Sequence, residues 1–246
     1  MKVGIIGDGW VGTAVKKLFP DAYVYTRHQG TKEEINQQEI VFIAVPTPLT
    51  ESGKLDTSII EEIMTWLNVP LIVIRSTVNP GFCDKYDKDI CFVPEYLGET
   101  PNHPLLNENN AKFLIIGGKS KNRKKLIELY QTVYNANIKI RQVSNLEAEV
   151  IKLSENRAIA FKVMQCQELY DACQKAGIDY YTIRDAVYGD DPRFNLWWTF
   201  VIPDKRGFHS SKCLSKDVPA WCAWAREVGI NPEITSLLFV KSGEYD

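Results

Sequence analysis

Six short apolar runs recur through the first half of the chain: Val3 to Ile6, Tyr23 to Tyr25, Ile40 to Val45, Leu71 to Ile74, Cys91 to Val93 and Phe113 to Ile116. They are rich in β-branched residues and are apolar almost throughout, which is what a strand covered on both faces requires. Helical stretches lie between them. The alternation predicts an α/β domain with a doubly wound parallel sheet. The first helix is expected over Val11 to Phe19, ended by Pro20. The segment Leu49 to Asp56 lacks apolar periodicity and reads as a loop beyond the carboxyl end of a strand, the edge on which open α/β sheets take their ligands. At Asn145 the pattern changes. From there to about Ala176 apolar positions follow helical spacing without interruption, predicting one long connecting helix. Tyr181 to Tyr188 and Val218 to Val228 also read as helices, separated by the irregular stretch Gly189 to Ser215. The expected organisation is therefore a parallel-sheet domain over residues 1–143 and a small all-α domain over residues 144–246.

The sharpest local signal is the turn Gly7-Asp8-Gly9-Trp10-Val11-Gly12, which follows the first strand directly and opens the first helix. Glycines in this order permit a tight turn, close approach of backbone to a pyrophosphate, and close packing of helix on strand, while the helix N-terminus faces the negative charge. The chain is thus expected to hold a dinucleotide on a Rossmann domain through Gly7, Gly9, Trp10, Val11 and Gly12. An acidic residue usually binds the adenosine ribose of NAD about 20 positions on. Here the second strand ends in Val24-Tyr25-Thr26-Arg27-His28, with no carboxylate. Either Arg27, beside Thr26, faces a 2′-phosphate and favours NADP, or it is a solvated arginine that leaves NAD acceptable.

Length and charge narrow the class further. At 246 residues, with about 150 per domain, one large or two modest domains are expected. The 29 basic and 31 acidic residues balance, so nucleic acid is not an expected partner. The N-terminus lacks the pattern of a signal peptide and the apolar runs are far below the roughly 18 residues of a spanning helix, so a protein without membrane segments is expected. Six cysteines without a C-x-x-C pair suit a reducing cytoplasm better than a disulfide framework or a zinc site. The three histidines, His28, His103 and His209, are too dispersed for a metal cluster.

Three further stretches end predicted strands on the cofactor edge: Ala44-Val45-Pro46-Thr47-Pro48, Arg75-Ser76-Thr77-Val78-Asn79-Pro80-Gly81, and Val93-Pro94-Glu95-Tyr96-Leu97-Gly98-Glu99. With Ala148-Glu149-Val150-Ile151-Lys152-Leu153-Ser154-Glu155-Asn156 and Cys213-Leu214-Ser215-Lys216-Asp217, they resemble, in order and over nearly the whole chain, the UDP-glucose/GDP-mannose dehydrogenase family. The resemblance implies oxidation of a sugar primary alcohol to a carboxylate by two hydride transfers to NAD, with a cysteine thiolate carrying the intermediate as thiohemiacetal and then thioester. It assigns Cys213 as nucleophile, with Lys212 and Lys216 beside it. Lys152 and Asn156 become the oxyanion-stabilising pair, and Asp217 and Glu95 the carboxylates that handle protons and water. Thr77 holds that water. Val45, Pro46, Thr47, Ser76 and Thr77 would line the cofactor, and Glu95, Tyr96, Leu97, Lys152, Asn156 and Arg193 the substrate. Arg193, in Asp191-Pro192-Arg193, matches a segment that crosses a dimer interface, so a homodimer is implied; a plain turn is the other reading.

Residue chemistry offers its own alternatives. A lone cysteine is commonly a semi-buried structural thiol, and Lys152 could be a surface residue paired with Glu149 or Glu155. Four apart on one helix, however, Lys152 and Asn156 share a face, and the apolar neighbours Val150, Ile151, Leu153, Ile159 and Val163 favour a buried lysine. The sequence also departs from the family. Ser210-Ser211-Lys212 replaces the usual Gly-Gly-Ser before the nucleophile, the stretch with Trp197-Trp198-Thr199-Phe200 is longer and more aromatic, and the family's third domain, which grips the substrate nucleotide, is not expected. Those departures leave room for a two-electron hydroxyacid or sugar-acid dehydrogenase using Lys152, or for a cofactor-binding protein without turnover.

Overall fold

The computed structural model describes residues 1–98 and 107–245. It divides into two compact units, Met1–Pro48 with Leu55–Lys152, and Leu49–Lys54 with Leu153–Asp246. In the first unit β1 (Val3–Ile6), β2 (Tyr23–Tyr25), β3 (Ile40–Ile43), β4 (Ile72–Ile74) and β5 (Ile90–Phe92) form one sheet in the order β2-β1-β3-β4-β5. Every pairing in it is parallel. A second, two-stranded parallel sheet pairs β6 (Phe113–Gly117) with β7 (Lys139–Val143). The strand order reverses between β1 and β3, which makes that crevice the topological switch point.

Strand side chains alternate between faces, and both faces are covered. Ile5, Phe42 and Val73 pack against Val15 and Leu18 of α1 (Trp10–Leu18) and Leu126, Leu129 and Tyr130 of α4 (Ser120–Tyr130). Ile6, Ile43 and Ile74 face the opposite way. They meet Ile35 of α2 (Lys32–Ile35), Ile60, Ile63 and Met64 of α3 (Ser58–Trp66), and Ala148 at the start of α5 (Asn145–Ala176). Two-sided burial explains why these strands read as unbroken apolar runs. The doubly wound α/β expectation is met.

The differences from the expected elements are local. β3 stops at Ile43 because Val45 N–H leaves the ladder for the Ser76 hydroxyl. The first helix starts at Trp10, and Phe19 is its C-cap. β7 had no counterpart among the expected strands. Its residues, Lys-Ile-Arg-Gln-Val, are mostly polar and exposed, so no apolar run marks it, and pairing to β6 defines it instead.

A charged pair is buried in the core of the first unit. Arg75, immediately after β4, is 2% exposed, and its guanidinium bonds the buried carboxylate of Glu108. Burial opposes the charge on Arg75, yet Glu108 together with Tyr130 and Tyr134 outweighs it and holds the guanidinium above its ordinary pKa. Glu108→Gln leaves a buried cation without its counter-charge, a change that costs about 3–5 kcal/mol. The expected outcome is a fall of roughly 10 °C in the melting temperature of this unit, read by calorimetry.

The second unit is helical. α5 runs for 32 residues, about 48 Å at 1.5 Å per residue. α6 (Tyr180–Arg184), α7 (Leu214–Glu227) and α8 (Glu233–Gly243) complete it. Asp179 caps α6 by accepting from Tyr181 and Thr182 N–H. The expected helix over Tyr181 to Tyr188 is thus α6 followed by a π-helical turn, Asp185–Asp190. α7 begins at Leu214 rather than at Val218, with the Ser211 hydroxyl 3.1 Å from Leu214 N–H just ahead of the Cys213 N-cap. Pro219 then falls inside the helix. Two apolar clusters fill this unit, one around Ala160, Met164, Phe208 and Val218, the other around Cys166, Tyr180 and Val201. The segment before α7 has no long helix. Arg206 pins it to α5, 2.8 Å from Asp171 and stacked over Tyr170 and Tyr245, and the Tyr180 hydroxyl bonds Thr199 O. No helix among the described residues is long and apolar enough to cross a membrane.

Candidate functional site

The glycine turn sits at the switch point. Gly7 has φ +103°, and a Cβ there would lie 2.3 Å from Ala44 O, at the end of β3. Its N–H donates to Tyr25 O at 3.0 Å, so β1, β2 and β3 converge on this residue. A Cβ on Gly12 would meet Gly7 O at 2.1 Å, so only glycine lets α1 pack this closely on the turn. Gly9 differs. It is the N-cap of α1, carries no capping side chain, and a Cβ there would meet nothing within 4 Å. That open backbone, followed by the first-turn N–H groups of Trp10, Val11 and Gly12, suits a pyrophosphate lying against the helix N-terminus. Trp10 is half exposed beside it. After β2, Thr26 N–H bonds Gln29 O and the Thr26 hydroxyl accepts from His28 N–H, forming a tight turn that leaves Arg27 exposed.

The stretches after β3 and β4 are joined into one shelf. The Ser76 hydroxyl takes both backbone groups of Val45, accepting from its N–H at 2.8 Å and donating to its carbonyl at 2.7 Å. The Thr47 hydroxyl donates to Thr77 O at 2.7 Å. Asn79 likewise pairs with both backbone groups of Leu55. Pro46 lies between Val45 and Thr47 on this shelf, and Thr77 is partly exposed.

Lys152 is buried, not a surface residue: it is 4% exposed. Its ammonium donates to Glu95 O at 2.7 Å, stands 3.9 Å from the Glu95 carboxylate, and lies 5.2 Å from the Tyr96 ring centre. Leu97 is buried next to them. Glu149, considered as a surface partner for Lys152, has another function. Its carboxylate is fully buried and accepts from Gly81 N–H at 2.5 Å and Cys83 N–H at 2.9 Å. Glu99 and His103 lie outside the described residues.

In the second unit Asn156 and Asp217 meet. Asn156 Nδ2 donates to Asp217 Oδ2 at 2.6 Å, and Lys216 Nζ to Asp217 Oδ1 at 2.7 Å. Asp217 is 1% exposed, so a buried carboxylate has a donor on each oxygen. Lys216 is thereby committed to Asp217. Cys213 is the N-cap residue of α7 and partly exposed, whereas the other five cysteines are buried. The end of a helix that presents free N–H groups favours negative charge nearby. Ser211→Ala removes the acceptor for Leu214 N–H at the start of α7, and a loss of about 1 kcal/mol is expected by chemical denaturation. Arg193 is 80% exposed on its side chain and forks onto Asp191, with Nη2 to Oδ2 at 2.5 Å. Among the described residues, no group of three or more His, Cys, Asp or Glu side chains could hold a metal ion.

Some of this was not visible in the sequence. Asn79, Glu149 and Ser211 carry no local motif, since their roles exist only through partners brought together by folding. Asn145 is another case: its amide spans Phe92 N–H and Ile90 O, fixing the start of α5 on β5.

Comparison with known proteins identifies the family of the chain. Residues 15–136 match the NAD binding domain of the UDP-glucose/GDP-mannose dehydrogenase family, and residues 146–239 match its central domain. UDP-glucose 6-dehydrogenase of Rickettsia bellii is 29% identical over 231 residues, 85% of this chain and 50% of the relative. The Bacillus subtilis enzyme TuaD is 27% identical over 215 residues, 79% of this chain and 44% of its own length. The chain thus spans about half the length of these relatives. Among solved structures, a UDP-glucose dehydrogenase from Pyrobaculum islandicum superposes with a TM-score of 0.82 at 20% identity, covering 99% of this chain and 68% of that one. A UDP-D-ManNAc dehydrogenase from Pyrococcus horikoshii gives 0.80 at 17% identity, covering 100% and 69%. The chain is a member of the UDP-glucose/GDP-mannose dehydrogenase family and carries that family's NAD-binding and central domains.

Proposed function

We propose that this chain oxidises the primary alcohol of a sugar, carried as a nucleotide sugar, to a carboxylate with two equivalents of NAD and Cys213 as nucleophile. The observation that supports the reading best is the buried Asn156–Asp217–Lys216 cluster one helical turn from Cys213, with Lys152 a turn before Asn156 on α5. NAD, when bound against the glycine turn and the Val45–Thr47 and Ser76–Thr77 shelf, supplies the hydride acceptor.

The residues then divide the work. Asp217 takes the proton as the alcohol O–H bond breaks and the first hydride leaves carbon. Lys152 and Asn156 hold the oxygen as negative charge develops on it, a function for preorganised donors away from water. The Cys213 thiolate adds to the aldehyde carbon, giving a thiohemiacetal. Loss of the second hydride gives a thioester. Thr77 and Glu95 hold the water that adds to it, the C–S bond breaks, and the thiolate returns. One alcohol, two NAD and one water give one carboxylate, two reduced cofactors and three protons. Arg193 extends toward the substrate of a second protomer, which makes a homodimer the working assembly, and the balance of composition and free thiols suits the cytoplasm. Exposed Arg27 leaves room for NADP as a weaker alternative to NAD.

The test is incubation with UDP-sugars, GDP-sugars and simple sugar acids, each with NAD or NADP, followed by mass analysis of the product. A uronate from a nucleotide sugar supports the proposal. Turnover confined to sugar acids, or cofactor binding without turnover on any substrate, overturns it.

A further inference from the structure

Glu149 is a fully buried carboxylate that the mechanism above does not use. It sits among Val78, Phe82, Cys83, Ile115 and Ala148, an apolar setting that strongly disfavours an unmatched polar group. Its two oxygens are matched one to one: Oε2 accepts from Gly81 N–H and Oε1 from Cys83 N–H. Burial raises its pKa, and the Cys83 side chain together with the Cys83 and Gly81 backbone N–H groups opposes that rise. The turn it holds, Pro80–Gly81 running into Cys83–Lys85, starts three residues after Thr77 in the same segment. Glu149 itself is three residues before Lys152 on α5, so the two lie on one helical face.

We infer that Glu149 is a positioning residue that ties the segment carrying Thr77 to the helix carrying Lys152 and so fixes the two groups relative to each other. The inference rests on the functional reading above for its catalytic consequence, and on geometry alone for the anchoring. Asn79 and Ser76 fasten the same segment to Leu55 and Val45, whereas Glu149 fastens it to α5. A carboxylate is required because both partners are donors. Glutamine offers one acceptor oxygen and turns its NH2 toward the second N–H, and aspartate keeps both acceptors on a shorter stem.

The test compares Glu149→Gln and Glu149→Asp with the wild-type chain by amide hydrogen exchange over residues 76–86 and by steady-state kinetics with a nucleotide sugar and NAD. For Glu149→Gln, exchange at Gly81 and Cys83 should quicken at least tenfold. Its kcat should fall by 10- to 100-fold while KM for NAD changes less than threefold, and Glu149→Asp should recover part of the kcat. Unchanged exchange in Glu149→Gln overturns the anchoring whatever the activity. Faster exchange with wild-type kcat overturns the catalytic consequence, as does a loss shared equally between kcat and cofactor KM. Faster exchange in a chain whose wild type turns over no nucleotide sugar defeats the proposed function and leaves the anchoring standing.

Discussion

Replacing Cys213 with alanine is expected to end carboxylate formation, lowering the overall rate by roughly a thousandfold or more while NAD affinity stays within about twofold. The aldehyde can form without a thiolate, because the first hydride transfer needs only deprotonation and charge stabilisation. The second cannot proceed by the same route, since an aldehyde has no tetrahedral carbon from which hydride can leave until a nucleophile adds. Under the proposed mechanism Cys213, of the six cysteines, takes this role. It alone is partly exposed, at the N-terminal end of α7, and it is four residues before Asp217. Cys222→Ala serves as the control, because Cys222 is buried on the same helix. Product analysis reads the result: aldehyde or nothing from Cys213→Ala, carboxylate from Cys222→Ala. Carboxylate formed at wild-type rate by Cys213→Ala would remove the thiol from the mechanism.

The second large effect concerns the glycine turn, where three apparently equivalent residues are expected to fail in different ways. Gly12→Ala puts a methyl 2.1 Å from Gly7 O and 2.8 Å from Gly7 C, both backbone atoms, so α1 or the turn must move. Gly7→Ala adds an unfavourable positive φ to a 2.3 Å clash with Ala44 O. Each should cost about 2 kcal/mol or more of stability, by overpacking and by strain, and weaken NAD binding at least a hundredfold. Gly9→Ala has an ordinary φ of −66° and open space around the added methyl. Its melting temperature should stay near that of the wild type, while NAD affinity falls about tenfold or more, because the methyl occupies the approach to the pyrophosphate. Calorimetry and cofactor titration on the three variants separate the effects. Equal loss of stability in all three would make the turn a purely structural device.

The sheet was legible in the sequence because burial on both faces leaves unbroken apolar runs, and Ile5, Ile6, Phe42 and Ile43 carry that pattern clearly. The long helix was legible from apolar positions at helical spacing, with its limits at Asn145 and about Ala176 matching α5. Where polarity is local and pairing is distant, the sequence is silent. β7 is held by β6 through the backbone while its side chains face solvent. α7 starts four residues earlier than Val218, where the Ser211 hydroxyl accepts from Leu214 N–H just ahead of the Cys213 N-cap. In the site, Cys213 and Asp217 stood out only through the family resemblance, whereas spacing brought out Lys152 with Asn156 as a pair on one helix. It could not reveal Glu95 as the partner of Lys152, 57 residues away, or Asn156 as the partner of Asp217, 61 residues away. The surface alternative that paired Lys152 with Glu149 fails because both are buried, as the apolar neighbours of Lys152 favoured for the lysine.

In the proposed mechanism one site performs two successive oxidations on one carbon. The most direct measurement is the amount of cofactor reduced per molecule of nucleotide sugar consumed, followed at 340 nm under limiting substrate. Two equivalents per sugar, with no free aldehyde trapped by hydroxylamine, is the predicted result. One equivalent per sugar would contradict it and identify a two-electron dehydrogenase on the same fold.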